Sequence, residues 1–178
     1  TTLHILIAHI GYELHIFRHF FVVVISLNLS KLVVDNHDTI IVDNITSIFN
    51  NAIIELDDSG KYKDMRQAYS VVYNGLRRLV WEAAQAKTNV IFTAWHNAED
   101  FPAPDGSMAK RVTPKLPMKI MDDFIGMCNI CAYVNVAEKE GKKAWYYILE
   151  GNPTMYAKDQ LYCRKWCKPE DIFTGENK

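Results

Sequence analysis

The stretch Thr39-Ile40-Ile41-Val42-Asp43-Asn44 decides the expected fold of this chain. It is a short, β-branched apolar run, which predicts a strand buried on both faces, and it ends on a carboxylate. Helical spacing of apolar residues begins directly after it, at Ile45, Ile48, Phe49, Ala52, Ile53 and Leu56. In open α/β sheets, ligands bind at the carboxyl ends of the strands, which is where Asp43 is expected to lie.

Two interpretations of Asp43 follow from this placement. In a nucleotide hydrolase, the carboxylate would hold Mg²⁺, usually through water, and the metal would neutralise the phosphates. In the simpler interpretation, Asp43 or Asn44 only caps the helix that follows. The pattern alone leaves both open.

The composition excludes several classes of protein. The chain has 178 residues, 49% of them hydrophobic and 12% aromatic, which is typical of a folded domain. Lys and Arg number 20 against 21 Asp and Glu, so any nucleic-acid site must be a local patch. No apolar run reaches the length of a membrane span, and no membrane partner is expected. The 4 cysteines suggest a reducing compartment, so a cytoplasmic location is expected.

Strands and helices alternate along the chain, which predicts an α/β sandwich with parallel strands and an antiparallel C-terminal hairpin. Helices are expected at 3–17, 44–56, 63–86 and 118–126, and strands at 20–27, 40–43, 89–94, 129–137 and 143–149. The segment 98–117 holds several prolines without periodicity and is expected to be a long loop. Residues 152–178 are expected to form an irregular tail.

Asp43 and His96 are the strongest candidate pair. If both follow parallel strands, they lie at the same edge of the sheet, where an imidazole could sense a terminal phosphate. The alternative is that His96 merely ends its strand. Cations in the expected loop form a second candidate, because flexible basic segments can follow a nucleic-acid backbone. The alternative is that these cations belong to a solvated loop without a binding role. The cations are Lys110, Arg111, Lys115 and Lys119.

Possible metal ligands are less convincing. The pairs Cys128/Cys131 and Cys163/Cys167 have zinc-like spacing, but the first pair opens an apolar alternating segment, so buried thiols are favoured. His15 and His19 are four residues apart without the Glu of a zinc hydrolase, which favours an interface or surface role. No G-x-x-x-x-G-K-[ST] motif occurs in this sequence, and its absence argues against nucleotide hydrolysis.

From Thr39 onward, about 130 residues resemble the RecA-like P-loop ATPases of bacteriophages, a nucleotide-binding family linked to single-strand recombination. The matching pieces are Thr39-Ile-Ile-Val-Asp43-Asn-Ile-Thr-Ser-Ile, Asn89-Val-Ile-Phe-Thr-Ala-Trp-His96, the late hairpin, and Tyr156-Ala-Lys158-Asp-Gln160-Leu. Their order is more specific than any one of them.

The resemblance implies a RecA-like core that binds ATP and Mg²⁺ and assembles into a homo-oligomeric ring or filament. Asp43 would be the carboxylate associated with Mg²⁺, and His96 would take the polar sensor position. The loop 98–117 would contact single-stranded DNA. Lys158 would reach the phosphates of the neighbouring subunit, although Gln160 replaces the Arg that many relatives carry two residues later.

Thr1-Thr2-Leu3 resembles the end of the phosphate-binding loop of such proteins, whose first strand, glycines and Lys would lie upstream. Thr1 and Thr2 would then bind the nucleotide, and Thr1 would approach Mg²⁺ through water. The catalytic Glu is not placed by any motif; Glu13 and Glu55 are available.

The expectation is therefore a single domain over 1–178 that hydrolyses ATP and acts on single-stranded DNA in recombination or replication, in the host cytoplasm if encoded by a phage. Two alternatives remain: a non-catalytic DNA-binding or assembly protein that has lost its phosphate loop, and a zinc-stabilised structural protein.

Overall fold

The computed structural model describes residues 39–103, 105–139 and 141–174, and the backbone of residues 5–9. The described residues form two compact units. One contains the residues up to Trp95 together with Lys115–Met127, and the other contains His96–Pro114 and the residues from Cys128 onward. The expectation of a single domain stays a prediction.

A parallel sheet of three strands lies in the first unit. Strands β1 (Ile5–His9), β2 (Thr39–Asp43) and β3 (Asn89–Phe92) follow that order across the sheet, so β2 is central. Ile41 pairs with Ile7 on one side and with Ile91 on the other. The strand predicted at 40–43 is confirmed.

The helix predicted over 3–17 is wrong at Ile5–His9, where the chain is the strand β1. A short apolar run fits a helix stripe and a buried strand equally well. Hydrogen bonding to β2, far along the chain, decides between them. The strand predicted at 20–27 lies outside the described residues.

The described residues of this unit also form three helices: α1 (Ile45–Asp58), α2 (Met65–Gln85) and α3 (Met118–Met127). Asn44 and Asp64 cap the first two, because each side chain accepts a hydrogen bond from a backbone N–H of the first turn. α2 packs against both α1 and α3 with one apolar face. The buried apolar helix residues are Ile45, Ile48, Ala52, Ala68, Val72, Leu76, Leu79, Val80, Ile120, Met121, Phe124 and Ile125.

The three helices match their predicted positions because their apolar spacing is regular, and a capping residue directly precedes α1 and α2. Within the described ranges, no helix combines the length and apolarity that crossing a lipid bilayer requires.

The loop predicted at 98–117 is a β-hairpin over most of its length, in the second unit. Strands β4 (His96–Pro102) and β5 (Met108–Pro114) pair antiparallel. Gly106, with φ of 82°, lies in the connection. A proline stands at the last position of each strand, where the lost N–H donor is tolerated. The prolines therefore end the strands, whereas the sequence analysis took them as evidence against regular structure.

The predicted C-terminal hairpin is confirmed. Strands β7 (Tyr133–Lys139) and β8 (Lys142–Ile148) pair antiparallel, and Gly141, with φ of 73°, lies in their turn. A left-handed conformation of this kind suits glycine. The short strand β10 (Trp166–Cys167) adds to the other edge of β8.

The tail predicted to be irregular from residue 152 contains regular elements. Besides β10, strand β9 (Lys158–Asp159) pairs with β6 (Ile130–Cys131), and a 3-10 helix spans Pro169–Asp171. The α/β class is therefore present, but strand directions in the described part are mixed. Among the described residues, the parallel sheet has three strands.

Candidate functional site

Asp43 and Asn44 have different roles at the end of β2. The Asn44 side chain accepts a hydrogen bond from the Ser47 N–H at 2.8 Å and thus caps α1. Asp43 takes no part in this cap. The simpler interpretation of the sequence, a helix cap, therefore accounts for Asn44 and leaves the Asp43 carboxylate for another role.

Thr93 holds Asp43 in place. Its hydroxyl donates a short hydrogen bond to Asp43 Oδ1, its N–H donates to the Val42 carbonyl at 3.0 Å, and its carbonyl accepts from the Ile45 N–H at 2.8 Å. The backbone of Thr93 is thus fixed on both sides of the hydroxyl. Among the described residues, no other hydrogen bond reaches the Asp43 carboxylate, which is half-buried.

The sequence predicts that His96 directly follows β3, but in the structure it does not. β3 ends at Phe92, and His96 is the first residue of β4 in the second unit, where it is exposed. The residue that continues β3 and bonds to the carboxylate at the end of β2 is Thr93. The sensor role of His96 stays a prediction.

The four predicted nucleic-acid-binding cations fall in different surroundings. Lys110 forms an ion pair with Asp100 at 2.6 Å across the hairpin, and the guanidinium of Arg111 lies 5.2 Å from the Tyr156 ring centroid. Lys115 and Lys119 belong to the first unit and are exposed. Since Lys110 and Arg111 are engaged within the second unit, Lys115 and Lys119 are the better candidates for an external anion.

Lys158 lies in β9 opposite Cys131, so it belongs to a paired strand and not to an exposed tail. Its Nζ lies 3.3 Å from Oε1 of Gln160, the residue that replaces the expected Arg. Its predicted action on a neighbouring subunit stays a prediction.

The cysteines have unlike environments. Cys167 is buried and Cys163 is exposed, so the expectation of buried thiols is wrong for Cys163. Burial raises the pKa of the Cys131 thiol to about 11; the neighbouring Cys128 also raises it, and Lys158 opposes the shift. A zinc ligand must be a thiolate, so this environment does not favour metal binding at Cys131. Within the described ranges, no group of three or more His, Cys, Asp or Glu side chains is placed to hold a metal ion.

Several predicted residues lie outside the described part of the chain: Thr1, Thr2, Glu13, His15 and His19. Glu55 is described, on α1 ten residues after its start. That position is about 15 Å along the helix axis from Ile45, the end of α1 nearest to Asp43, at a rise of about 1.5 Å per residue. Glu55 therefore does not suit a role beside Asp43.

The sequence analysis missed two polar residues of this region, Thr93 and Thr46. The Thr46 hydroxyl donates to the Lys115 carbonyl at 3.0 Å and accepts from the Trp95 N–H at 3.2 Å. One available signal was a polar residue directly after the apolar run 89–92, at the carboxyl end of a strand. No local signal indicated Thr46, because its partners lie far along the chain.

One of three comparisons with known proteins found a match. A family model described as AAA domain matches residues 13–161. The searches of curated proteins and of solved structures found no match. An AAA domain implies an α/β P-loop fold and a nucleotide-binding function of the ATPase type. The match covers most of the chain, and the chain therefore belongs to the AAA domain family.

Proposed function

We propose that this chain is a Mg²⁺-dependent ATPase with a RecA-like core, which acts on single-stranded DNA as a phage protein of recombination or replication. The observation that carries the proposal is the position of the Asp43 carboxylate. This carboxylate ends the central parallel strand, is positioned by Thr93, and is not used as the helix cap. The family match supplies the nucleotide-binding class.

The Asp43 carboxylate fits Mg²⁺. Magnesium prefers oxygen ligands and is usually bound by one or two carboxylates together with waters and substrate phosphates. Asp43 offers such a carboxylate at the carboxyl end of a parallel strand, the edge at which α/β sheets bind ligands. When bound, the metal supplies charge neutralisation for the phosphates.

The chain's own contribution is to position this carboxylate. Because Thr93 donates to Oδ1, that oxygen is fixed before any ligand arrives, and Asp43 loses little conformational freedom on binding. The backbone bonds of Thr93 to Val42 and Ile45 join β2, β3 and the start of α1 into one rigid support. Preorganised support of this kind is the main requirement of phosphoryl transfer.

Thr93 provides a direct test of this arrangement. Replacing Thr93 with valine removes the hydroxyl and preserves the shape, and we expect Mg²⁺-dependent ATP turnover to fall by about tenfold or more, as for other groups that orient a metal ligand. Thr93→Ser retains the hydroxyl and should restore most of the turnover. If Thr93→Val turned over ATP as fast as the unaltered protein, Asp43 would not need the hydrogen bond from Thr93.

The proposed oligomer places Lys158 at a neighbour's nucleotide. If Lys158 acts in trans, an oligomer of Asp43→Asn subunits mixed with Lys158→Ala subunits contains interfaces with an intact Asp43 on one side and an intact Lys158 on the other. We expect such mixtures to recover part of the turnover that each variant lacks alone.

The mixing experiment is measured as ATP turnover over a series of subunit ratios at constant total protein. The control is each variant mixed with itself at the same concentration. Absence of recovery at every ratio would rule out action of Lys158 on the neighbouring subunit and leave the Asp43 site unaffected.

A further inference from the structure

Trp95 combines strong exposure with a rigid backbone. It lies three residues beyond the end of β3, and 51% of its surface is exposed. Its N–H donates to the Thr46 hydroxyl at 3.2 Å, and its carbonyl accepts from the Lys115 N–H at 2.7 Å. The other 3 tryptophans are exposed to a similar degree, so exposure alone does not distinguish Trp95. Evidence for a binding role must therefore come from the groups around its ring.

The buried residue Thr46 links the backbones of Trp95 and Lys115. It is 1% exposed, and its hydroxyl joins the Trp95 N–H to the Lys115 carbonyl, which it reaches at 3.0 Å. Trp95 and Lys115 are therefore tied to each other and to the first turn of α1, directly after Asp43. These hydrogen bonds hold the backbone of Trp95, so the point from which the indole projects is set before a ligand binds.

A cation accompanies the ring. Lys115 Nζ lies 5.5 Å from the Trp95 ring centroid. No ion pair between Lys115 and an acidic side chain occurs in the described ranges, whereas Lys110 of the hairpin is paired with Asp100. Of the 4 tryptophans, Trp95 is the one with a cation over its ring among the described residues.

We infer that Trp95 and Lys115 form a stacking site for single-stranded nucleic acid, in which Trp95 stacks on a base and Lys115 contacts the adjacent phosphate. Exposed aromatic faces next to cations are the usual elements of sequence-tolerant single-strand binding. A duplex does not fit, because its bases are already stacked on one another. The inference rests on the proposed action on single-stranded DNA and names the residues that carry it.

The test measures binding of a fluorescent oligothymidylate by the protein in its full reading frame. We expect Trp95→Ala to bind about tenfold more weakly, the typical cost of losing one base–aromatic stack. Trp95→Phe should retain part of the affinity. The matched control is Trp81→Ala on α2, because Trp81 is 55% exposed without a cation over its ring, and its loss should leave binding unchanged.

Lys115 is tested through salt dependence. We expect Lys115→Ala to reduce the slope of log affinity against log salt by about 0.7, the value for one lost phosphate contact on a single strand. Circular dichroism of each variant should match that of the unaltered protein, since both side chains are exposed.

A base and a phosphate also occur together in ATP, so ATP affinity is measured on the same variants. Unchanged ATP affinity with weakened oligonucleotide binding supports the inference. Weakened ATP affinity with unchanged oligonucleotide binding overturns it, as does equal binding of the oligonucleotide by Trp95→Ala and the unaltered protein. Failure of the unaltered protein to bind any single strand would instead refute the proposed action on DNA.

Discussion

Replacing Arg164 with alanine is expected to lower the free energy of unfolding of the second unit by about 3–5 kcal/mol, the usual cost of breaking a buried ion pair from one side. Arg164 Nε lies 2.7 Å from Asp159 Oδ2, and the two side chains are 1% and 0% exposed. Alanine would leave the Asp159 carboxylate buried without its countercharge. It would also remove donors to the backbone carbonyls of Asp171 and Ile172.

The matched control is the neighbouring Lys165. Its ion pair with Glu150 spans 3.6 Å, and both side chains are mostly exposed, so Lys165→Ala should change stability by less than about 1 kcal/mol. Urea unfolding followed by circular dichroism compares the two variants. Equal midpoints for Arg164→Ala and Lys165→Ala would show that the buried pair does not stabilise the unit.

The same pair predicts a pH dependence. Burial alone raises the pKa of the Asp159 carboxyl, but hydrogen bonds from the Arg164 side chain and from backbone N–H groups outweigh this effect and lower the pKa below its usual value. Because the folded-state pKa is depressed, the stabilisation is complete above the ordinary carboxyl pKa of about 4 and is lost as the pH falls through the folded-state value.

Arg164 also bears on the proposed activity. Asp159 follows Lys158 in β9, and its Oδ1 accepts hydrogen bonds from the Leu161 and Tyr162 N–H groups. The buried pair therefore fixes the turn that follows the strand carrying Lys158. Loss of Arg164 should disturb Lys158 as well as stability.

Replacing Asp43 with asparagine is expected to lower ATP turnover by on the order of a hundredfold, because a neutral amide cannot balance the charge of a metal ion as a carboxylate does. The amide oxygen can still accept the Thr93 hydrogen bond, so the secondary structure should be unchanged by circular dichroism.

The control for Asp43→Asn is Asp58→Asn, which removes the same charge from an exposed position at the end of α1. Asp58→Asn should retain full turnover. Wild-type turnover in Asp43→Asn would show that the carboxylate at the end of β2 has no part in the reaction, and the chemical proposal would fail there.

The parts of the fold that local sequence patterns determine were predictable. The run Thr39–Asp43 predicts a buried strand because most of its residues are apolar and β-branched, and α1 begins directly after Asn44 because this residue is a strong N-cap. The hairpin around Gly141 follows from alternation and a turn residue with positive φ.

The remaining features depend on partners that are distant in sequence. Ile5–His9 becomes a strand because it pairs with β2, and the polar contact of Asp43 comes from Thr93, fifty residues later. The hairpin of β4 and β5 was missed because prolines at strand ends look like loop residues. The candidate carboxylate was therefore predictable. The position of Thr93 after an apolar run was a usable signal, but its hydrogen bond to Asp43 was not predictable from local sequence.

The most direct test of the account is ATP turnover by the protein in its full reading frame, with and without single-stranded DNA, beside Asp43→Asn. We expect Mg²⁺-dependent ATP turnover that single-stranded DNA stimulates and that Asp43→Asn loses. No turnover with DNA binding intact would contradict it, and would identify the chain as a non-catalytic DNA-binding member of the family.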